Sequence, residues 1–425
     1  MDFAFGKTGL MLDLPEGFQY RVLEARSAQP LPDPAEALAA AMDRPIGAPP
    51  IVELAAGRDS AAISVCDITR PAPNRQVLPP LLDRLERAGI PKDRITILIA
   101  TGLHRPATET EIHQIVGDDI AATYQVLNHN ARNLAEHRML GTTRSGTPVF
   151  VDERFVAAGL HITLGFIEPH LMLGYSGGRK LIAPGLAAEP TIKVLHSPRF
   201  MRLPKATEGS IYGNLLHEEL LEIARMARHD FIVDVALARD RRIAGVFAGH
   251  PELAHRQGVE FVSRVLLEEM DRPADAVLTT SAGYPLDLTF YQAIKGITAA
   301  QHVVRPGGRI LLMAACTEGS GAPEFSEMLK TSPAAEEFLD RIAGTPVIVD
   351  QWQLEKLALV TRKAEMLYYV PGLPAKYYLS LWGRAFASAP EAVEALLEGL
   401  PAGATVAVIP EGPYVLARAP ELVPA

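Results

Sequence analysis

The chain has 425 residues, 48% of them hydrophobic and 21% charged, a globular composition on a length that favours two cores over one. A formal charge of −9 argues against nucleic acid or an anionic membrane surface as the main partner. The only cysteines, Cys66 and Cys316, form no CxxC, no stretch is long and apolar enough to span a bilayer, and MDFAFGKTGLMLDLPEGF does not read as a secretory signal. These features exclude a disulfide framework and a Cys-rich metal site, and they predict a cytoplasmic protein.

The Pro-rich piece at 29–34 reads as a surface connection. AAISVCDI (61–68) and RITILIA (94–100) read as buried strands, and VLPPLLDRLERAGI between them has helical spacing. HITLGFI (161–167), FIVDVAL (231–237) and GVFAGH (245–250) continue the series. A second series follows MDRPAD (270–275): ADAVLTTS (274–281), GGRILLMAAC (307–316), TPVIVD (345–350) and ATVAVIP (404–410), with helical patterns such as APEFSEMLKTSPAAEEFLDRIAG between them. This alternation predicts an α/β protein of two domains, each a mainly parallel sheet flanked by helices. The expected N-terminal domain spans 1–270, with 413–425 a candidate to rejoin it, and the C-terminal domain spans 271–412. No short internal repeat or low-complexity tract is present.

In parallel sheets, ligands collect on loops leaving the carboxyl ends of strands. The loops after the first three predicted strands are CDITRPAPNR (66–75), ATGLHRP (100–106) and EPHLMLGYSGGRK (168–180), and they hold the densest polar chemistry in the chain. One crevice should collect all three. Asp67, Thr69 and Arg70 at a strand exit could hold a sugar and an anion, or simply form a capped turn with an ion pair. His104 has the side chain suited to proton transfer near neutrality, although a lone histidine is more often only polar. Ser176, Gly177 and Gly178 permit close backbone approach and an anion nest. Lys180 could be a phosphate counter-charge or a nucleophile.

Further on, His196 in VLHSPRF reads as a capping turn or a ligand. Tyr291 and Lys295 in FYQAIKG share a helix face, with Gln292 beside them, and Trp352 and Gln353 follow in DQWQLEK. HEE at 217–219, near Asn214, reads as a solvated helix face or an interdomain contact. The sequence has no HExxH, Cys cluster or EF-hand loop, so a metal would take ligands from separate loops or from a cofactor.

Taken in order, DITRP, ATGLHRP, EPHxxxGYSGGRKxxxPG, the following LHSP and YQAIKG resemble the lactate racemase family of nickel-pincer enzymes, from about residue 15 to about 415. The resemblance implies a racemase or epimerase of a small 2-hydroxy acid, with an active site in the cleft between the domains. It implies a nickel-pincer nucleotide, a pyridinium-derived mononucleotide holding nickel, joined covalently to Lys180, with His196 as the protein ligand of the metal. Asp67, Thr69, Arg70, Ser176, Gly177 and Gly178 match regions that hold the cofactor or substrate, and His104 and His170 match two acid–base histidines. Tyr291, Gln292, Lys295 and Trp352 match the substrate wall, with Arg70 and Lys295 as candidates for gripping the carboxylate.

The implied chemistry moves the C2 hydrogen as hydride to the cofactor and back, with the histidines exchanging the hydroxyl proton. This avoids a carbanion next to an anionic carboxylate. Implied partners are the 2-hydroxy acid and the proteins that make the cofactor. Two alternatives stand beside this reading: an NAD-dependent dehydrogenase, disfavoured by the absence of GxGxxG, and a non-catalytic cofactor binder, which would not need both His104 and His170.

Overall fold

The computed structural model describes residues 1–420. The described chain divides into two compact units, one of residues 27–195 and 203–265, the other of 1–26, 196–202 and 266 onward. β1 (Gln19–Val22) belongs to the second of these.

The first unit is built on a six-stranded sheet of β2 (Ala61–Cys66), β3 (Ile95–Ala100), β4 (Gln125–Asn128), β5 (Leu160–Phe166), β6 (Phe231–Leu237) and β7 (Ile243–Gly249). The order is β7-β6-β5-β2-β3-β4, parallel except for the edge pair β6–β7. Every residue of β2 and β5 is buried, which explains why both read as apolar runs and not as an alternation. Residues 160, 162, 164 and 166 of β5 enter the apolar core with Ala61, Ile63 and Val65 of β2. The alternate positions carry polar bonds instead. Thr163 Oγ1 lies 2.9 Å from His229 Nε2, and His161 Nδ1 lies 2.8 Å from Asp230. α1 (Asn74–Arg87) follows β2 and turns Val77, Leu78, Leu81, Leu82 and Leu85 into the same core. α2 (Leu215–Met226) and α3 (Pro251–Leu266) complete the part used below.

In the second unit, β8 (Ala274–Thr280) leads through α4 (Phe290–Ala300) to β9 (Val304–Met313). α5 (Gln351–Thr361), β10 (Ala364–Tyr369), β11 (Arg384–Ala385) and β12 (Thr405–Ile409) follow. The sheet order is β11-β10-β9-β8-β12-β1, parallel throughout. On β9, Ile310 and Leu312 enter one apolar cluster while Leu311 and Met313 enter another, the strand period of two with both faces covered.

Several expectations change. Residues 1–26 group with the C-terminal strands and not with the N-terminal domain, because β1 extends their sheet beside β12. The rejoining at 413–425 is replaced, in its described part, by a ladder of Leu416–Arg418 with Leu267–Glu269 inside the second unit; 421–425 lie outside the described residues. TPVIVD is no strand. Ile348 is exposed, and the next strand of the sheet after β9 is β10, whose AEMLYY the apolar pattern did not single out.

Candidate active site

In the first unit the strand order reverses between β2 and β5, which leaves a crevice at their carboxyl ends where open α/β sheets bind ligands. All three polar loops meet there. The Ser64 hydroxyl on β2 donates to Leu181 O at 2.9 Å, and the Gly102 amide donates to Gly185 O at 3.0 Å. The DITRP and ATGLHRP loops are tied by side chains: His104 Nδ1 sits 2.7 Å from Asp67 Oδ2.

Asp67 is nearly buried, whereas the His104 side chain is half exposed. Burial pushes the Asp67 carboxyl up, but His104, then Thr69 and Arg70, outweigh it and hold the group below the ordinary carboxylate range. The Thr69 hydroxyl donates to the other oxygen, Oδ1, at 2.7 Å. An ionised carboxylate only accepts, so His104 carries its neutral-state proton on Nδ1 and turns the lone pair of Nε2 outward. His170 has a different environment: its Nδ1 lies 3.4 Å from the amides of Met172 and Leu173.

The SGGRK turn divides its chemistry between inside and outside. The Ser176 hydroxyl faces inward, donating to Phe166 O at 2.8 Å and accepting from the Glu168 amide at 3.0 Å. Gly177 and Gly178 adopt φ of +86° and +46°, where a side chain is strained, and a Cβ on Gly177 would stand 2.5 Å from Asp234 Oδ2. The inner side of this turn therefore packs against the chain's own Asp234. Arg179 is buried and donates to the carbonyls of Leu173, Tyr175, Ser176 and Gly177. Burial pushes its guanidinium down to about 9 and the Asp234 carboxyl up to about 7, each opposed by the other's charge. Lys180 is half-buried, and its charge, like that of Arg70, acts on the buried Cys66 thiol, which burial itself pushes up to about 12.

Sequence reasoning missed Asp234 and His255, which lies 2.7 Å from Arg179. The legible signal was an acid in the middle of the apolar FIVDVAL. The HEE expectation is corrected too. His217 and Glu219 are buried, and Glu219 accepts from the Thr143 and Ser145 hydroxyls. Asn214 is an N-cap that accepts from the amides of Leu216 and His217 and donates to Met172 O and Ser210 O.

The other predicted residues lie in the second unit. α4 is buried along most of its length, and Tyr291, Gln292 and Lys295 form its partly open stripe. Gln292 Oε1 is a buried acceptor with no hydrogen-bond partner among the described residues. Trp352, at the start of α5, packs on His196 with ring centroids 4.5 Å apart. Among the described residues no group of three His, Cys, Asp or Glu could hold a metal ion, and no helix is long and apolar enough to cross a membrane.

Residues 5–209 match the family described as Lactate racemase N-terminal domain, and 270–417 match Lactate racemase C-terminal domain. A lactate racemase of Thermoanaerobacterium thermosaccharolyticum is 31% identical over 98% of this chain and 99% of its own length. Another, from Lactiplantibacillus plantarum, is 35% identical over 90% of this chain and 91% of its own. The solved lactate racemase apoprotein from T. thermosaccharolyticum superimposes with a TM-score of 0.89 at 32% identity, covering 98% of this chain and 99% of the other. A protein from Thermotoga maritima shares the fold at 16% identity and a TM-score of 0.65, over 92% of this chain and 99% of its own.

Proposed function

We propose that this chain, which belongs to the lactate racemase family, is a cofactor-dependent racemase or epimerase of a 2-hydroxy acid, with lactate the first substrate to test. The observation that carries the reading is the Asp67–His104 pair, 2.7 Å apart at the reversal of a parallel sheet and tied to the loop that bears Lys180.

His104, with Nδ1 held by Asp67, takes the hydroxyl proton of one enantiomer on Nε2. The second acid–base group is His170. In its protonated form this ring gives a proton from Nε2 and is left as the neutral imidazole. Reversing these roles serves the other enantiomer. Arg70 supplies a fork suited to the substrate carboxylate, and Lys295 a second cation, with Tyr291, Gln292 and Trp352 as the substrate wall.

The family resemblance implies a nickel-pincer nucleotide, which when bound supplies an acceptor for the C2 hydride. The residues fit such a group. Arg70 brings a cation to the end of β2 that suits a phosphorylated nucleotide, and the nearby Lys180 is the proposed covalent anchor, which gives up its own charge when it is acylated. With no three-residue metal cluster among the described residues, nickel would take most of its donors from the nucleotide and one from His196, a ligand type that suits Ni(II). Thr69 and the backbone of Gly177 and Gly178 would meet the nucleotide. Ser176 would act only by shaping the turn, since its hydroxyl is already bonded inside it.

The test is to produce the chain together with the enzymes that make the cofactor, then measure intact mass, nickel content and chiral conversion of a single lactate enantiomer. The expected result is an adduct on Lys180, one nickel per chain and formation of the other enantiomer. Active protein without the adduct overturns the cofactor assignment. Loaded protein that inverts no 2-hydroxy acid in a panel overturns the function.

A further inference from the structure

The segment 196–202 has the other unit's residues on both sides in sequence, through Leu195 and from Leu203, yet it groups with residue 266 onward. α5 accounts for this. Trp352, Glu355 and Lys356 are three and four residues apart and so share one helix face. Trp352 packs on the His196 ring at 4.5 Å with the planes 48° apart. Arg202 Nε donates to Glu355 Oε1 at 2.7 Å, and Lys356 Nζ donates to Met201 O at 2.9 Å. The far side of the Arg202 fork donates to Leu339 O.

The Glu355 side chain has no exposed surface, and its Oε2 has no hydrogen-bond partner among the described residues. Removing a half-satisfied carboxylate from water is costly, and a pair of well-packed apolar side chains would join the two elements at least as stably. What an ion pair adds is register, since it fixes one rotation of the short helix Pro198–Met201. His196 sits directly before Ser197, the N-cap position of that helix, so its imidazole turns with it.

We propose that Glu355 and Arg202 are positioning residues for His196, locking the 196–202 segment onto α5 so that the imidazole is presented at a fixed angle. This rests on the reading of His196 as the nickel ligand and Lys180 as the anchor. Glu355 is thus predicted to act on the metal without touching it, as groups behind a ligand do, where their loss lowers metal affinity on the order of ten- to a hundredfold.

The experiment compares the full-length wild type, Glu355→Gln and the double variant Arg202→Met with Glu355→Leu, all produced with the cofactor-making enzymes. Four quantities are read: the unfolding midpoint, the mass adduct on Lys180, nickel retained under a chelator, and the visible spectrum of the loaded protein. The double variant should melt no lower than wild type and keep the adduct. It should lose nickel at roughly ten- to a hundredfold lower chelator concentration and show a shifted spectrum. Glu355→Gln should fall between, because its amide oxygen still accepts from Arg202. A double variant with wild-type nickel retention and spectrum overturns the proposal, and if it does not fold, an unchanged Glu355→Gln does the same. Wild type lacking both adduct and nickel would instead bring down the functional reading, and it does so in the control before any variant is compared.

Discussion

Replacing Asp67 by Asn separates two roles that the DITRP loop could play. The pair spans 2.7 Å, with Asp67 nearly buried and the His104 side chain 50% exposed. A hydrogen bond to a charged partner contributes about 1.5–3 kcal/mol, and the exposure of His104 lowers that to about 1–2 kcal/mol through solvent screening. The amide oxygen still accepts from Nδ1, so the outward lone pair survives and only the stabilisation of the protonated ring is lost. The expected effect on kcat is therefore a fall of roughly five- to thirtyfold. Removal of the proton-transfer group itself, in His104→Ala, should cost about 10²–10⁴. Initial rates from one lactate enantiomer, followed by chiral chromatography across pH, give both numbers. Intact mass shows whether the Lys180 adduct is present. Wild-type rates in Asp67→Asn would refute the orientation argument. A loss as deep as that of His104→Ala together with a missing adduct would refute it differently, by showing that Asp67 serves the cofactor.

Turnover of one enantiomer in D2O should leave little deuterium at C2, as hydride return requires; extensive labelling by mass spectrometry would replace it with proton exchange. Asp234, raised to about 7 by burial, binds a proton in the folded chain that the unfolded chain releases near pH 4. Stability should therefore fall as pH rises between those values, and thermal unfolding of Asp234→Asn should lack that slope. Gly177→Ala sets a Cβ 2.5 Å from Asp234 Oδ2 at a φ of +86°, so the melting temperature should drop and adduct formation should slow. Asn214→Ala removes a cap and two carbonyl contacts and should cost about 1–2 kcal/mol in denaturant unfolding, with the adduct retained.

Strands buried on both faces announce themselves, because most positions are apolar or small; β2, β3, β5 and β6 were legible within a residue or two for that reason. β1, β4 and β11 are short strands, each at the outermost position of its sheet, and their polar residues carry no comparable signal. TPVIVD shows the opposite failure, an apolar run that local pattern cannot distinguish from a strand. The candidate site was legible as a set of loops, because topology alone sends the exits of β2, β3 and β5 to one edge. The direction in which each side chain leaves a loop depends on partners distant in sequence, and that was not legible.

GGRK is the clearest case. Two adjacent cations look equivalent in sequence, and either could be taken as the counter-charge of a bound anion. In the fold they are opposites. Arg179 is buried and holds the carbonyls of Leu173, Tyr175, Ser176 and Gly177, while Lys180 stays at the half-buried edge where its charge reaches Cys66. A planar fork with five donors can satisfy several converging carbonyls, which an ammonium on a flexible stem cannot. Arg179→Lys should therefore be far from conservative, although the charge is kept. The converse change, Lys180→Arg, should leave the turn folded and abolish the adduct, since a guanidinium is no nucleophile at neutral pH. If Arg179→Lys melts and loads like wild type, the carbonyl clamp is not what shapes the turn, and Asp234 and the two glycines have to shape it alone.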